Sequence, residues 1–170
     1  MRPLLALFLA LAFVNPAAAA DASAPAKELL EIMVGSASDA GGDSDYFSED
    51  RLNRLYSDEF AKLYRAAWKK QESDENGGYL LGYDPITMAQ DGCPIKDLSI
   101  ETLDDQGGWL PVIARFKAFY CFSDDNKDKV EIRQFIMVPK GDGWVIDDIQ
   151  SVVNNRVEGS VKTNLEELSK

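Results

Sequence analysis

The sequence predicts an α+β fold, with N-terminal helices packed on an antiparallel sheet, and three observations predict it. Up to Trp68 the apolar residues recur at spacings of three and four, the period of a helix with one buried face. From Lys96 onward they alternate with polar residues, the period of a strand. The polar segments DDQGG, SDDNKDK and KGDG separate the alternating runs closely enough for neighbours to pair as hairpins.

The first element is not part of that fold. MRPLLALFLALAFVNPAAAA has a basic start, an apolar run from Leu4 to Val14 and an alanine tract, which is the pattern of a secretory signal peptide cleaved after Ala20. The apolar run is shorter than the ~20 residues a membrane span needs. The expected organisation is a signal peptide at 1–20 and one α+β domain at 21–170, in the periplasm or outside the cell, with no membrane insertion after cleavage. Loss of Arg2 takes the formal charge from −11 to −12. So acidic a chain argues against nucleic acid, whose phosphates require Lys and Arg. It suits solubility, or a basic partner.

Within the domain, APAKELLEIMVGSA reads as the first helix, with Leu29, Leu30, Ile32 and Met33 clustered and Pro25 in the opening turn. SDAGGDSD is a loop. From Leu52 a single long amphipathic helix runs through Leu55, Tyr56, Phe60, Leu63, Tyr64, Ala67 and Trp68, with Ser57 marking a kink or restart and ESDENGG ending it. KDLSIETL is a strand. WLPVIARFKAFYCF follows, placing Leu110, Val112, Ala114, Phe116, Ala118, Tyr120 and Phe122 on one side. VEIRQFIMV returns, and WVIDDIQSVV is a further long strand. In the tail, Thr163 stands three residues before Glu166, a capping-box spacing for a last short helix.

With SDDNKDK as the whole loop, Phe122 faces Val130, Tyr120 faces Ile132, Ala118 faces Gln134 and Phe116 faces Ile136. With the next turn at Gly141 and Asp142, Val138 faces Val145, Ile136 faces Asp147 and Gln134 faces Ile149. The core face is then apolar except for Gln134 and Asp147, with Tyr120 near them and the small Ala114 and Ala118 leaving room for a pocket. The opposite face collects Trp109, Ile113, Phe119, Phe135, Met137, Trp144 and Ile146. That is a candidate surface for a protein partner or a homodimer, or else one covered by long side chains and the tail helix.

Two cysteines in an exported chain are most simply a disulfide, here Cys93 to Cys121, clasping the loop GYDPITMAQDGC to the end of the second strand. In that loop Asp84 before Pro85 reads as a turn residue, and Gln90 and Asp91 before Gly92 as its continuation. The rival reading makes Asp84, Gln90 and Asp91 a ligand-binding rim.

YDPITMAQD ahead of the sheet and GDGWVIDDI in the last long strand, in that order, carry a resemblance to the cone-shaped fold of nuclear transport factor two and its relatives, the SnoaL-like cyclases and ketosteroid isomerase among them. The secreted bacterial domains of unknown function built on that fold are the nearest in pattern. The resemblance implies a curved sheet wrapped over helices, and a fold that hosts enzymes, binding modules and dimerisation domains alike.

Chemistry is constrained by what the chain contains. With no histidine, Ser-His-Asp and Cys-His catalysis and the usual zinc sites are excluded. Asp124, Asn126 and Asp128 fall at calcium-loop spacing, but Lys129 and Phe135 stand where an EF-hand needs glycine and glutamate, so no metal is expected. No cofactor or catalytic set is assigned. The expected function is a noncatalytic binding module for a protein partner or a small apolar ligand, with Tyr120, Gln134 and Asp147 as pocket residues. The alternative is a pocket-based isomerase or lyase with Asp147 as acid/base and Tyr120 as hydrogen-bond donor, which the isomerase branch of the resembled fold implies.

Overall fold

The computed structural model describes residues 21–35, 46–71, 80–123 and 125–170. Residues 1–20, expected to be a signal peptide, the SDAGGDSD segment expected to be a loop, the ESDENGG segment expected to end the long helix, and Asp124 lie outside them. The chain is α+β: among the described residues three helices precede a curved five-stranded antiparallel sheet, and another follows it.

Helix α1 (Ala24–Gly35) buries Ala26, Leu29, Leu30 and Met33, one stripe at helical spacing. Asp21 caps its start through the Ser23 amide and takes Lys27 Nζ at 2.8 Å. The run from Leu52 forms two helices, α2 (Glu49–Arg54) and α3 (Asp58–Gln71). Ser57 is the restart: its Oγ accepts from the Phe60 amide at 3.0 Å, an N-cap for α3. The link between the helices lies beside the sheet as a short parallel bridge, in which Ile146 N donates to Leu55 O and Ser57 N to Ile146 O, both at 2.8 Å.

Strands β1 (Lys96–Thr102), β2 (Leu110–Lys117), β3 (Glu131–Lys140), β4 (Gly143–Val153) and β5 (Arg156–Ser160) pair in chain order. Helix α4 (Val161–Leu168) closes the chain. These described helices share one core with the sheet face of Val112, Ala114, Phe116, Phe135, Met137, Ile146 and Ile149. Aromatic rings fill the helical side of that core, Phe47 against Tyr64 and Tyr56 against Phe60, each pair with centroids 4.6 Å apart. Burial pushes the Tyr56 phenol well above its usual range.

The β2–β3 register departs from expectation. Phe116 pairs with Glu131 rather than Ile136, a slip of five residues, and Val112 pairs with Phe135. An odd slip turns every β3 side chain to the opposite face. Phe135 and Met137 are therefore core residues, while Gln134 and Ile136 lie on the face away from the helices. The cause is the end of β2. After Lys117 the chain leaves the sheet: Ala118 O accepts the Cys93 amide at 2.7 Å, Phe122 N turns back onto Phe119 O, and the described residues from there to Val130 belong to no strand.

In β4, Val138 does face Val145. A bulge then makes Ile136 face Asp148 while Met137 faces Ile146, with Asp147 as the extra residue. Ile146 and Ile149 consequently both reach the core, three positions apart, and Gln134 faces Gln150 instead of Ile149. The face away from the helices carries Ile113, Ile132, Gln134, Ile136, Val138 and Val145, in place of the Phe135, Met137 and Ile146 expected there.

Strand β5 and its turn were not expected. Asn154 and Asn155 both take positive φ, 50° and 60°, the geometry of a two-residue hairpin turn for which asparagine is well suited. The last helix is capped by Ser160, whose Oγ accepts the Thr163 amide, so Thr163 lies inside the helix rather than at its cap.

Candidate functional site: a pocket at the disulfide clasp

The loop from Leu80 to Ile95 is built around Asp84. Its Oδ1 accepts from the amides of Ile86 and Thr87 at 2.9 and 2.7 Å, and its Oδ2 from the Tyr46 hydroxyl at 2.7 Å. Asp84 N donates to Ala89 O at 2.9 Å, and Met88 at the tip takes φ 56°. Asp84 is thus the turn-forming residue, its carboxylate spent on backbone and tyrosine donors.

Arg133 anchors this loop from below. Its guanidinium, 1% exposed, donates to the carbonyls of Ile86 and Thr87 and lies 3.3 Å from Glu131 Oε2. The cross-strand neighbour Ala114 is small enough to admit that side chain on the core face. The space expected to be a ligand pocket beside Ala114 thus belongs to an arginine. Burial lowers the Arg133 pKa, against the opposing pull of Glu131 and then Asp84. Glu131 in turn holds Lys129 Nζ at 2.9 Å, so one chain of charges runs from the core to the surface.

Beyond Ala89 the loop exposes Gln90 and Asp91 and then buries Cys93, which is bonded to Cys121 with Cα atoms 6.0 Å apart. Phe119 and Phe122 flank Cys121, their centroids 6.2 Å apart at 42°. Between the two disulfide-joined segments lies a pocket of about 420 Å3 lined by Gln90, Asp91, Phe119, Phe122, Asn126 and Lys129. Two aromatic side chains stand in this open depression with two amides, a carboxylate and an ammonium, a more polar lining than the largely apolar one of most small-ligand sites.

The six candidate residues are therefore divided. Gln90 and Asp91 line the pocket, and Asp84 shapes the loop beneath it. Tyr120 lies in the same connection with Lys96 Nζ over its ring, 3.8 Å from the centroid. Gln134 meets Gln150 Oε1 at 3.4 Å on the far sheet face. Asp147, in the β4 bulge, accepts from Ser57 Oγ at 2.6 Å and Lys162 Nζ at 2.9 Å, and Lys162 also reaches Glu59 at 2.8 Å. Tyr120, Gln134 and Asp147 thus each have separate partners. Burial draws the Lys162 pKa down, yet its hydrogen bonds to Glu59 and Asp147 leave it raised.

Sequence reasoning missed Arg133, the aromatic walls as a pair, and Asp148. Asp148 accepts from Ser160 Oγ, Gln150 Nε2 and the amides of Ile149 and Lys162, tying β4 to the α4 entrance. Phe119 and Phe122 carried a signal in their position on either side of Cys121, in a segment with too many polar residues following it to continue a strand.

No protein-family model, curated protein or solved structure matches this chain.

A second depression of about 320 Å3 is lined by Phe47, Ser48, Glu49, Tyr64, Arg65 and Trp68. Its charged groups already satisfy each other, with Arg65 Nη2 on Glu49 at 2.7 Å and on Asn53 at 2.8 Å. Among the described residues no His, Cys, Asp and Glu group is placed to hold a metal ion, and no helix is long and apolar enough to cross a membrane.

Proposed function

We propose that this chain is an exported, noncatalytic binding module that holds a small ligand in the pocket at the Cys93–Cys121 clasp. The observation that carries the reading is the construction of that pocket. Its two walls come from segments joined by the disulfide, one of them further fixed by Asp84 and by the buried Arg133. Walls held this firmly lose little freedom on binding, so more of the contact energy appears as affinity.

The pocket contains apolar and polar lining in comparable measure, so the ligand has an apolar body with at least one polar group, more specific than the apolar ligand expected from sequence. The isomerase or lyase alternative draws no support from the contacts of its two residues, because Asp147 is engaged by Ser57 and Lys162 and Tyr120 by Lys96. Export rests on the leader pattern, and the disulfide is compatible with it.

Native mass spectrometry tests the proposal on protein purified without denaturation from its own envelope or medium. Wild-type protein should carry a small-molecule adduct that Phe122→Ala loses. An adduct retained undiminished by Phe122→Ala would place the ligand elsewhere.

A further inference from the structure

We propose that the sheet face away from the helices is a dimer interface, and that its occupant is a second copy of this chain related by a two-fold axis. The inference is independent of the clasp pocket.

The face is aliphatic across four strands. Ile113 on β2, Ile132, Ile136 and Val138 on β3 and Val145 on β4 all lie outside the core cluster. Ile113 sits between its cross-strand neighbours Glu101 and Gln134, and Val145 beside Val138. These two are only 6% and 5% exposed, so side chains on this face shield one another and close into a continuous surface. The cross-strand pair Val152 and Val157 extends it onto β5, where Val157 is 53% exposed. Five strands at about 4.8 Å spacing, with about 3.4 Å per residue along β2 to β4, give the face roughly 500 to 800 Å2, comparable to the ~800 Å2 per partner of a standard interface. A patch of that size marks an interaction surface.

The charges around it decide the occupant. Arg115 is held by Glu101 at 3.0 Å, Lys117 by Asp97 at 3.2 Å and Lys140 by Asp58 at 2.7 Å. Asp148 is 6% exposed and accepts from the amides of Ile149 and Lys162, from Gln150 Nε2 and from Ser160 Oγ. Exposed β5 adds one charge of each sign, Arg156 and Glu158. A basic partner drawn by the acidic chain therefore finds no excess of carboxylates here. A two-fold axis sets the same patch against itself, which apolar side chains tolerate and like charges do not. The polar groups in the middle of the face are Gln134 and Gln150, amides that carry donor and acceptor together and can meet their own copies.

Sedimentation equilibrium of the disulfide-intact protein tests the proposal. It should show a monomer–dimer equilibrium with a dissociation constant of about 10 µM or lower. Because each copy carries a formal charge of −11, the dimer should tighten between about 50 mM and about 500 mM NaCl as repulsion is screened. Val157→Lys and Ile136→Lys, which place a charge in the apolar contact, should each weaken it roughly tenfold or more. Val34→Lys, at an equally exposed apolar site on α1, should leave it unchanged. In the wild type, dilution should move the methyl resonances of Ile113, Ile132, Ile136 and Val157 and leave those of Leu29 and Leu30 in place, a readout that needs no variant to fold.

A protein still monomeric at about 500 µM overturns the proposal. So does a dimer that weakens with salt, that is indifferent to Val157→Lys, or whose dilution shifts fall elsewhere than on these methyls.

Discussion

The Arg133 guanidinium donates to the main-chain carbonyl of Ile86 from inside the core, so a strand of the sheet holds the floor of the Leu80 to Ile95 loop. Replacing Arg133 by Met leaves two buried carbonyls without their donor and the Glu131 carboxylate with Lys129 alone. A loss of about 3 kcal/mol or more is expected, the cost of breaking a buried charge network from one side. Urea unfolding measures it. Arg133→Lys should recover only part, because one ammonium cannot reproduce the planar fork. A midpoint unchanged by Arg133→Met would remove Arg133 as the anchor.

Cleaving the clasp should affect stability and binding together. The disulfide spans a sequence separation of 28, and closing a loop of that size stabilises by about 3 to 4 kcal/mol in the chain-entropy model. Paired Cys93→Ser and Cys121→Ser substitutions should cost that order of stability and also release the Phe119 and Phe122 wall from Gln90 and Asp91. Stability is read by urea unfolding, and binding by the adduct in native mass spectra. An adduct undiminished in a folded double variant would detach the pocket from the clasp.

Asp147→Asn separates a structural carboxylate from a catalytic one. Asp147 joins the α3 cap at Ser57 to Lys162 at the start of α4, so the change should cost about 1 to 2 kcal/mol of stability. Ligand binding at the clasp should be unaltered. A measured turnover that falls ~10²-fold or more in folded Asp147→Asn protein would instead establish a general base.

Acid should destabilise the fold, and the sign follows from four carboxylates. Lys27 and then Ser23 hold Asp21 at about 2, while Arg54 lowers Glu28, Arg65 lowers Glu49 and Lys140 lowers Asp58. Each has a lower pKa folded than unfolded, so its contribution is complete above the unfolded value of about 4 and is lost as pH falls through the folded one. These pairs are largely exposed and individually small. The urea midpoint should therefore hold steady from pH 7 to about pH 5 and decline below about pH 4. A midpoint that rises on acidification would contradict the sign.

Much of the fold was legible because the residues concerned had one way to be satisfied. Leu29, Leu30 and Met33 make one helical stripe, and Val112, Ala114, Phe116 and Ala118 are buried as their alternation required. Ser57 broke the long helix, and Asp84 formed its turn through backbone amides. Strand β3 was different because it is apolar on both faces. Ile132, Ile136 and Val138 compete with Phe135 and Met137, so alternation alone cannot choose the buried set, and a five-residue slip exchanges them. The choice is made by the connection after Lys117, which the disulfide and the Cys93–Ala118 hydrogen bond pull out of the sheet. The pocket was half legible for the same reason. Gln90 and Asp91 belong to a local loop, whereas Phe119 and Phe122 come together only because the strand stops before them.

The most direct test of the central claim is a map of backbone amide shifts in the disulfide-intact protein on addition of the low-molecular-weight fraction of its native envelope or medium extract. Binding at the clasp predicts changes concentrated at Gln90 to Cys93, Phe119 to Phe122 and Lys129, and their loss in Phe122→Ala. Changes centred on Tyr64 and Trp68, or on Ile132 and Ile136 of the far sheet face, would contradict it.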